Sequence, residues 1–358
     1  MSIGNDFRIA FAHKSGKTSH QRISRDPRGD VMNERSAAEM RSPQGARLEQ
    51  AARAAWLYYV GGRTQDEVAG QLNISRQAAQ RLISLALSEK LIKFRFDHPI
   101  GPRMETAEAL SRRFGLTVCE IVPTMGNATT TLASVAIAGA QFVEKWLAQR
   151  APLVLGMGTG RTLRAIANEL SPIAAPQHKI FSLCGTILPM GRAIALDPVL
   201  RLAERSGAQC YSLPSPVIAA TVEEREMLQK QQPYTTVRHL ISQARCMLVG
   251  IGAVGWREAL HVDGVVSDAE LTELIEEGAV GEITGWSYDA SGTLLGGAIN
   301  DRVAGLWPLA LESGALRVGA AFGAQKVAAI RAALSGGMVS GLITDEATAE
   351  ALLVEGSS

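Results

Sequence analysis

Apolar positions along the chain recur at two different periods, and the change between them divides it. Residues 47–60 carry Leu48, Ala51, Ala55, Trp56 and Tyr59 at helical spacing, with Gly61-Gly62 as a stop signal. Thr64 to Lys90, TQDEVAGQLNISRQAAQRLISLALSEK, predicts two further helices. Ile92-Lys93-Phe94-Arg95-Phe96 alternates apolar and basic residues and reads as a strand, the start of a strand pair reaching about His98. Pro99 and Pro102 mark a linker, and 104–114 a linking helix. From about residue 115 short apolar runs alternate with longer helical stretches. Strands are expected at Val118–Val122, Leu153–Leu155, Ile180–Leu183, Cys210–Leu213, Met247–Ile251, Leu316–Ala321 and Gly341–Ile343, with helices over 161–170, 198–206, 325–334 and 345–353. Such alternation predicts a parallel sheet covered on both faces, with ligands at the loops after the strands' carboxyl ends. The expected class is therefore α/β: an all-α, winged helix-turn-helix domain at 45–98, a linker at 99–114 and a doubly wound parallel-sheet domain at 115–358. Residues 1–44 lack any sustained period and read as a disordered tail.

The Thr64–Lys90 segment has the chemistry of a DNA reader. Thr64 and Glu67 form a capping box. Asn73 falls where the turn between the helices needs a left-handed residue, Ile74 plugs that turn and Ser75 caps the second helix. Ala78, Ala79 and Leu82 are expected to face inward, and small Ala69 and Ala79 to let the helices cross closely. The outward face then carries Arg76, Gln77, Gln80, Arg81 and Ser84, side chains able to read base edges, while Thr64 and Ser75 suit phosphate contacts. The plainer alternative is a helical hairpin with a solvated polar face. The basic side of 92–96 is equally compatible with a wing on phosphates or a half-buried strand.

In the larger domain, residues 153–163 read LVLGMGTGRTL. A strand running into Gly158, Thr159, Gly160, Arg161 and Thr162 and then a helix can cradle a phosphate, or can be a tight structural turn. The lysine of a P-loop is missing and the spacing is not GxGxxG, so neither a nucleoside triphosphatase nor a dinucleotide site is read. Gly185 and Gly252 lie in further loops where glycine permits close approach to a ligand. Glu282, in a Gly-rich run, is either an acceptor for sugar hydroxyls or a solvated loop acid. Lys326 stands at a helix start, where a cation opposes the dipole unless an anion is near; a solvated surface lysine is the alternative. The segment 129–147 has a broad apolar stripe of Leu132, Val135, Ala136, Gly139, Ala140, Val143 and Trp146, suited to core or to a subunit interface.

Composition narrows the reading. The 358 residues are 46% apolar and carry a net charge of +1, so any DNA binding must be local rather than a bulk field. Through Arg47 there are nine basic and five acidic residues, consistent with a DNA-tracking arm or with a tolerated extension. Four cysteines and six histidines are scattered without ligand spacing, so no metal and no cofactor are expected, and the pattern suits a reducing cytoplasm. No apolar run is long enough to span a bilayer and no signal sequence is read.

Taken together the chain resembles the SorC-type regulators of sugar and polyol catabolism. The stretches TQDEVAGQLNISRQAAQRLI, LGMGTGRTL, GAVGEITGWSYDASG and KVAAIRAALSGGMVSGLITDEATAEALL occur in the family's order over about residues 50–355. The resemblance implies a C-terminal fold related to phosphosugar isomerases and deaminases, an effector that is usually a phosphorylated sugar, double-stranded operator DNA as partner, a homotetramer and a repressor role. It puts the phosphate turn on Gly158–Thr162, a ligand lysine on Lys326, an acidic ligand residue on Glu282 and an Asn-x-Arg segment on Asn300 and Arg302. No arginine stands in Cys184-Gly185-Thr186, where a grip on a second phosphate is expected, although Arg192 follows; a monophosphate or a free polyol fits better. The competing reading is a phosphosugar isomerase or deaminase with a DNA-binding appendage, for which Asp263, Glu282 and His261 are the acid–base candidates.

Overall fold

A computed structural model describes residues 43–89, 91–92, 101–187 and 197–354. The chain divides into two compact units, Met1–His98 and Pro99–Ser358.

In the first unit, α1 (Pro43–Ala55) begins four residues before Arg47, where the periodicity started. The helix runs on through Trp56–Val60 in a widened turn, in which the Gly61 N–H reaches the Trp56 carbonyl at 2.9 Å. Gly62, at φ 62°, then supplies the left-handed exit. α2 (Gln65–Leu72) opens with the reciprocal Thr64–Glu67 capping box. It ends at Asn73, whose φ of 54° and ψ of 47° are the left-handed conformation the turn requires. α3 (Arg76–Ser88) is capped by the Ser75 hydroxyl, which accepts from the Ala78 N–H. The small core is Ala54, Val68, Ala69, Ala79 and Ile83, with Ile74 packed against it. The inward row of α3 is Ala79, Ile83 and Ala86, whereas Ala78 and Leu82 are only half-buried. The expected inward face is thus rotated, because Ile83 and Ala86 continue the i, i+4, i+7 row from Ala79. Residues 93–100, and with them nearly all of the expected wing, lie outside the described residues, as does the 1–42 stretch of the expected tail.

The second unit begins with α4 (Gly101–Phe114), which is part of it and not a free linker: Leu110 is fully buried in its core. There follow β1 (Val118–Val122), α5 (Ala128–Leu147), β2 (Val154–Met157), α6 (Arg161–Glu169), β3 (Lys179–Ile187), α7 (Pro198–Ser206), β4 (Gln209–Pro216), α8 (Val222–Gln229), α9 (Gln232–Gln243), β5 (Cys246–Gly250), β6 (Gly252–Ala253), α10 (Ala259–Val262), α11 (Asp268–Glu276), β7 (Gly281–Ile283), β8 (Trp286–Tyr288), α12 (Trp307–Glu312), β9 (Leu316–Ala320), α13 (Val327–Ser335), β10 (Gly341–Asp345) and α14 (Glu346–Leu353). Seven strands form one parallel sheet in the order β1-β10-β9-β5-β2-β3-β4. Successive residues of each strand serve opposite faces. Phe181, Leu183, Met247, Val249 and Leu342 pack with residues of α4, α9, α12, α13 and α14. Ile180, Cys246, Leu248, Val318 and Ile343 pack with residues of α5, α6 and α7. This is the expected α/β/α sandwich. The stripe on α5 is core, since Val135, Ala136, Gly139, Ala140 and Val143 are buried. Gly139 lets α6 approach closely; a Cβ there would stand 2.4 Å from Ile166.

From β2 the chain winds through β3 and β4 in one direction, then returns so that β5 lies on the other side of β2. The order therefore reverses between β2 and β5, the position at which open parallel sheets leave a crevice beyond the strand ends. β6, which follows β5 after one residue, pairs with β7 and β7 with β8 in a small antiparallel sheet beside that crevice.

Candidate functional site

The reading-head residues occupy one side of α3. Arg76, Gln77, Gln80, Arg81 and Ser84 are all exposed, as are Thr64 and Ser75 at the helix starts. Arg76 lies 3.5 Å from Asp66, an exposed pair that screening makes weak and readily exchanged. Arg81 Nε donates to the Gln77 carbonyl at 3.3 Å, which leaves the end of its guanidinium directed by the helix itself. Buried alanines behind and long polar side chains in front give α3 the form of a recognition helix.

In the second unit, four neighbouring strands deliver the other predicted residues to the switch point. β2 leads into Gly158, Thr159 and Gly160, then α6. β5 ends beside Gly252, β3 carries Gly185 near its end, and β9 leads through Gly323 to Lys326. Gly158 N–H bonds the Leu248 carbonyl at 2.9 Å, which ties the turn to β5. Gly160 has φ 127° and ψ 166°, a conformation open to glycine alone, and it offers no side chain to cap α6. The first amides of α6 therefore point past a bare glycine, as in anion-holding helix starts. Thr162 is buried at 8% exposure beneath that turn, while Arg161 is exposed and donates to Asp263 at 2.8 Å. Gly185 has a sufficient reason within the sheet: a Cβ there would stand 2.3 Å from the Ser215 carbonyl oxygen of β4.

Glu282 lies on strand β7 and not in a loop, which corrects the alternative of a solvated loop acid. Its carboxylate accepts from the Gly285 N–H at 2.9 Å. It also fills the space that Gly252 leaves, since a Cβ on Gly252 would stand 2.2 Å from Glu282 Oε1. Burial raises the Glu282 pKa, opposed by the Gly285 hydrogen bond and by the Lys326 charge. Lys326, half-buried at the N-cap of α13, is no solvated surface lysine: its Nζ donates to the Ile251 carbonyl at 3.0 Å. Burial lowers its pKa, Glu282 and Glu258 oppose this, and Arg161 adds to it. Arg161, Lys326, Glu258, Asp263 and Glu282 are thus one electrostatic cluster around the switch point.

Other candidates serve different ends. Asn300 is buried and spends its amide on the scaffold, accepting from Ser287 N–H and donating to the Ser287 and Leu295 carbonyls. Arg302 donates to Glu270 and to the Ala219 carbonyl. His261 Nε2 pairs with Asp268 at 2.8 Å and Asp263 with Arg161. Arg192 lies outside the described residues. A hollow of about 390 Å³, lined by Arg113, Phe114, Arg331, Leu334 and Ser335, lies where α4 and α13 end. The pattern of hydrophobic residues gave no sign of the hairpin tip at Thr284-Gly285, which stands against Gly158. The only sequence signal was its place two residues after Glu282.

Residues 98–354 match the family model described as "Putative sugar-binding domain". The erythritol catabolism regulatory protein EryD of Brucella abortus (strain 2308) is 35% identical over 305 residues, 85% of this chain and 96% of that protein. The transcriptional regulator LsrR of Escherichia coli (strain K12) is 28% identical over 308 residues, 85% of this chain and 94% of that protein. In fold, the chain is similar to the full-length sorbitol operon regulator SorC from Klebsiella pneumoniae, with a TM-score of 0.66 at 20% identity over 86% of this chain and 98% of that one. The likeness to regulators runs through both units and along nearly the whole length of each relative. The chain belongs to the SorC-type family of sugar-responsive transcriptional regulators.

Proposed function

We propose that this protein is a repressor of a sugar or polyol catabolic operon. It binds double-stranded operator DNA through α3 and is released by a sugar, polyol or sugar phosphate held at the β2–β5 switch point. Arg76, Gln77, Gln80, Arg81 and Ser84 face the bases, while Thr64 and Ser75 contact phosphates. Gly158, Thr159, Gly160, Arg161, Thr162, Gly185, Gly252, Glu282 and Lys326 surround the effector. The observation that carries the reading is the pairing, in one chain, of an exposed polar recognition helix with a charged, glycine-floored switch-point crevice. The working form is a homotetramer in the cytoplasm, in which effector binding changes the spacing of paired reading heads. No helix among the described residues is long and apolar enough to cross a membrane. No turnover is assigned: each acid–base candidate is held by a different partner, His261 Nε2 by Asp268, Asp263 by Arg161 and Glu282 by the Gly285 N–H.

The test is fluorescence anisotropy with duplex DNA from upstream of the operon adjoining the gene, titrated with erythritol, sorbitol and their monophosphates. Specific binding that one of these compounds weakens by tenfold or more is the expected outcome; to release DNA, the effector must prefer the non-binding state by at least that ratio. Binding that no compound alters would refute the sensing role, and conversion of any compound would refute the absence of turnover.

A further inference from the structure

The hairpin joining β7 to β8 carries two buried hydroxyls that the scaffold does not satisfy. Thr284, at φ 55° beside Gly285 at φ 90°, takes the positive-φ conformation that such a two-residue hairpin turn requires. Its side chain is 95% buried by the 5% exposure that remains, yet the Thr284 hydroxyl has no hydrogen-bond partner. A buried hydroxyl without a partner has given up its hydration for nothing, so native structures satisfy nearly all of them. Ser287, which stands directly across the ladder from Glu282, carries a second buried hydroxyl without a partner.

The position of Thr284 gives these facts a direction. A Cβ on Gly158 would stand 3.1 Å from the Thr284 methyl, so the side chain lies against the β2–α6 turn. Two residues earlier is Glu282, held by the N–H of Gly285, the very next residue after Thr284. Thr284 thus stands against the glycine turn and next to the residue that holds the carboxylate. The charges nearby sharpen the chemistry. Arg161 and Lys326 contribute two positive charges, and Glu258, Asp263 and Glu282 three negative ones, so the cluster carries no surplus positive charge to attract an anion.

Building on the effector-binding reading above, we infer that Thr284 is a ligand-binding residue whose hydroxyl bonds a hydroxyl group of a polyhydroxy effector, with Glu282 accepting from the neighbouring one. The group recognised is the hydroxylated carbon chain, shared by a free polyol and by its phosphate ester. A threonine hydroxyl both donates and accepts, and so matches a hydroxyl without selecting for charge.

The experiment uses the full-length protein and its Thr284→Val and Thr284→Ser variants. Thr284→Val keeps the β-branched shape but removes the hydroxyl. Thermal unfolding is measured alone and with erythritol, sorbitol and their monophosphates, followed by titration calorimetry with whichever compound raises the Tm. The expected result has three parts. Thr284→Val is at least as stable as the parent without ligand, because an unsatisfied hydroxyl has gone. It binds the compound about threefold to tenfold more weakly, the range for one net hydrogen bond. Thr284→Ser stays near the parent. Equal affinity in Thr284→Val and the parent would overturn the role of Thr284 and leave the effector-binding reading standing. A lower Tm for ligand-free Thr284→Val would also overturn it, since the hydroxyl would then serve the scaffold. Failure of every compound to bind the parent would overturn the effector-binding reading itself, and the inference with it.

Discussion

Gly252→Ala probes the packing of Glu282 more directly than replacing the acid does. The added Cβ would stand 2.2 Å from Glu282 Oε1, 2.9 Å from Cδ and 3.0 Å from Cγ, so the carboxylate must move. The backbone of Gly252 does not need positive φ, and the strain is therefore steric alone. If Glu282 swings away it loses the Gly285 N–H, a charge-assisted bond worth about 1.5–3 kcal/mol. If it stays, the ladder between β6 and β7 opens, and overpacking of this kind costs about 1–3 kcal/mol. Either route predicts a loss of about 2 kcal/mol, or roughly 4–8 °C in Tm for a domain of this size. Denaturant unfolding of a double-mutant cycle with Glu282→Ala is the assay. In the Glu282→Ala background the clash is absent, and Gly252→Ala should cost less than about 0.5 kcal/mol. An equal cost in both backgrounds would refute the argument, because the alanine would then be clashing with something other than the acid. The single variant should also bind operator DNA normally while ignoring effector.

Other expectations follow from the same geometry. Arg81→Ala should weaken specific operator binding by about 1–3 kcal/mol, and unchanged affinity in anisotropy titrations would remove Arg81 from the reading face. Asn73→Val should cost the first unit about 1–2 kcal/mol, because a β-branched residue is forced to φ 54°; Asn73→Gly should fold well, and thermal denaturation distinguishes them. The raised pKa of Glu282 has a definite sign: its contribution to stability is fully present below its unfolded value of 4.5 and is lost as pH rises through the higher folded value. Glu282→Gln should therefore be more stable than the parent at neutral pH, with the difference vanishing toward pH 4. A difference independent of pH between 4 and 8 would count against the assignment.

Much of the fold was legible because its elements are long and periodic. The α7 range was read as 198–206 and is found there, and each expected strand of the large sheet is present, with ends that match or differ by at most four residues. The small sheet was not legible. β6, β7 and β8 have two or three residues each, too few for a period of two to register, so Glu282 looked like a loop residue. Lys326 was singled out by the cost of a cation at a helix start, and it proved to be held by the Ile251 carbonyl between β5 and β6. Gly185 was read as a ligand glycine; that a Cβ there would also meet the Ser215 carbonyl, 30 residues away in sequence, had no local signal. What brought Thr284 to Gly158 is a tertiary contact between segments with no shared local pattern, and only the structure reveals it.

The pairing of β1 with β10 governs how the protein is made. Val118 meets Gly341 across the sheet, and β1 has no other neighbour strand there. The reading head, by contrast, closes on contacts spanning only a few dozen residues, from Ala54 to Ile83. On a ribosome the reading head can fold early, while the sensor's first strand stays unpaired until β10, 223 positions further along the chain (341 − 118), has been translated. A message cut short before β10 would thus yield a chain with a finished DNA-binding head and a sensor whose first strand has no partner. Under the proposed function such a product would keep a DNA-binding head without a closed effector site, so the β1–β10 register makes synthesis through β10 a condition of being regulated.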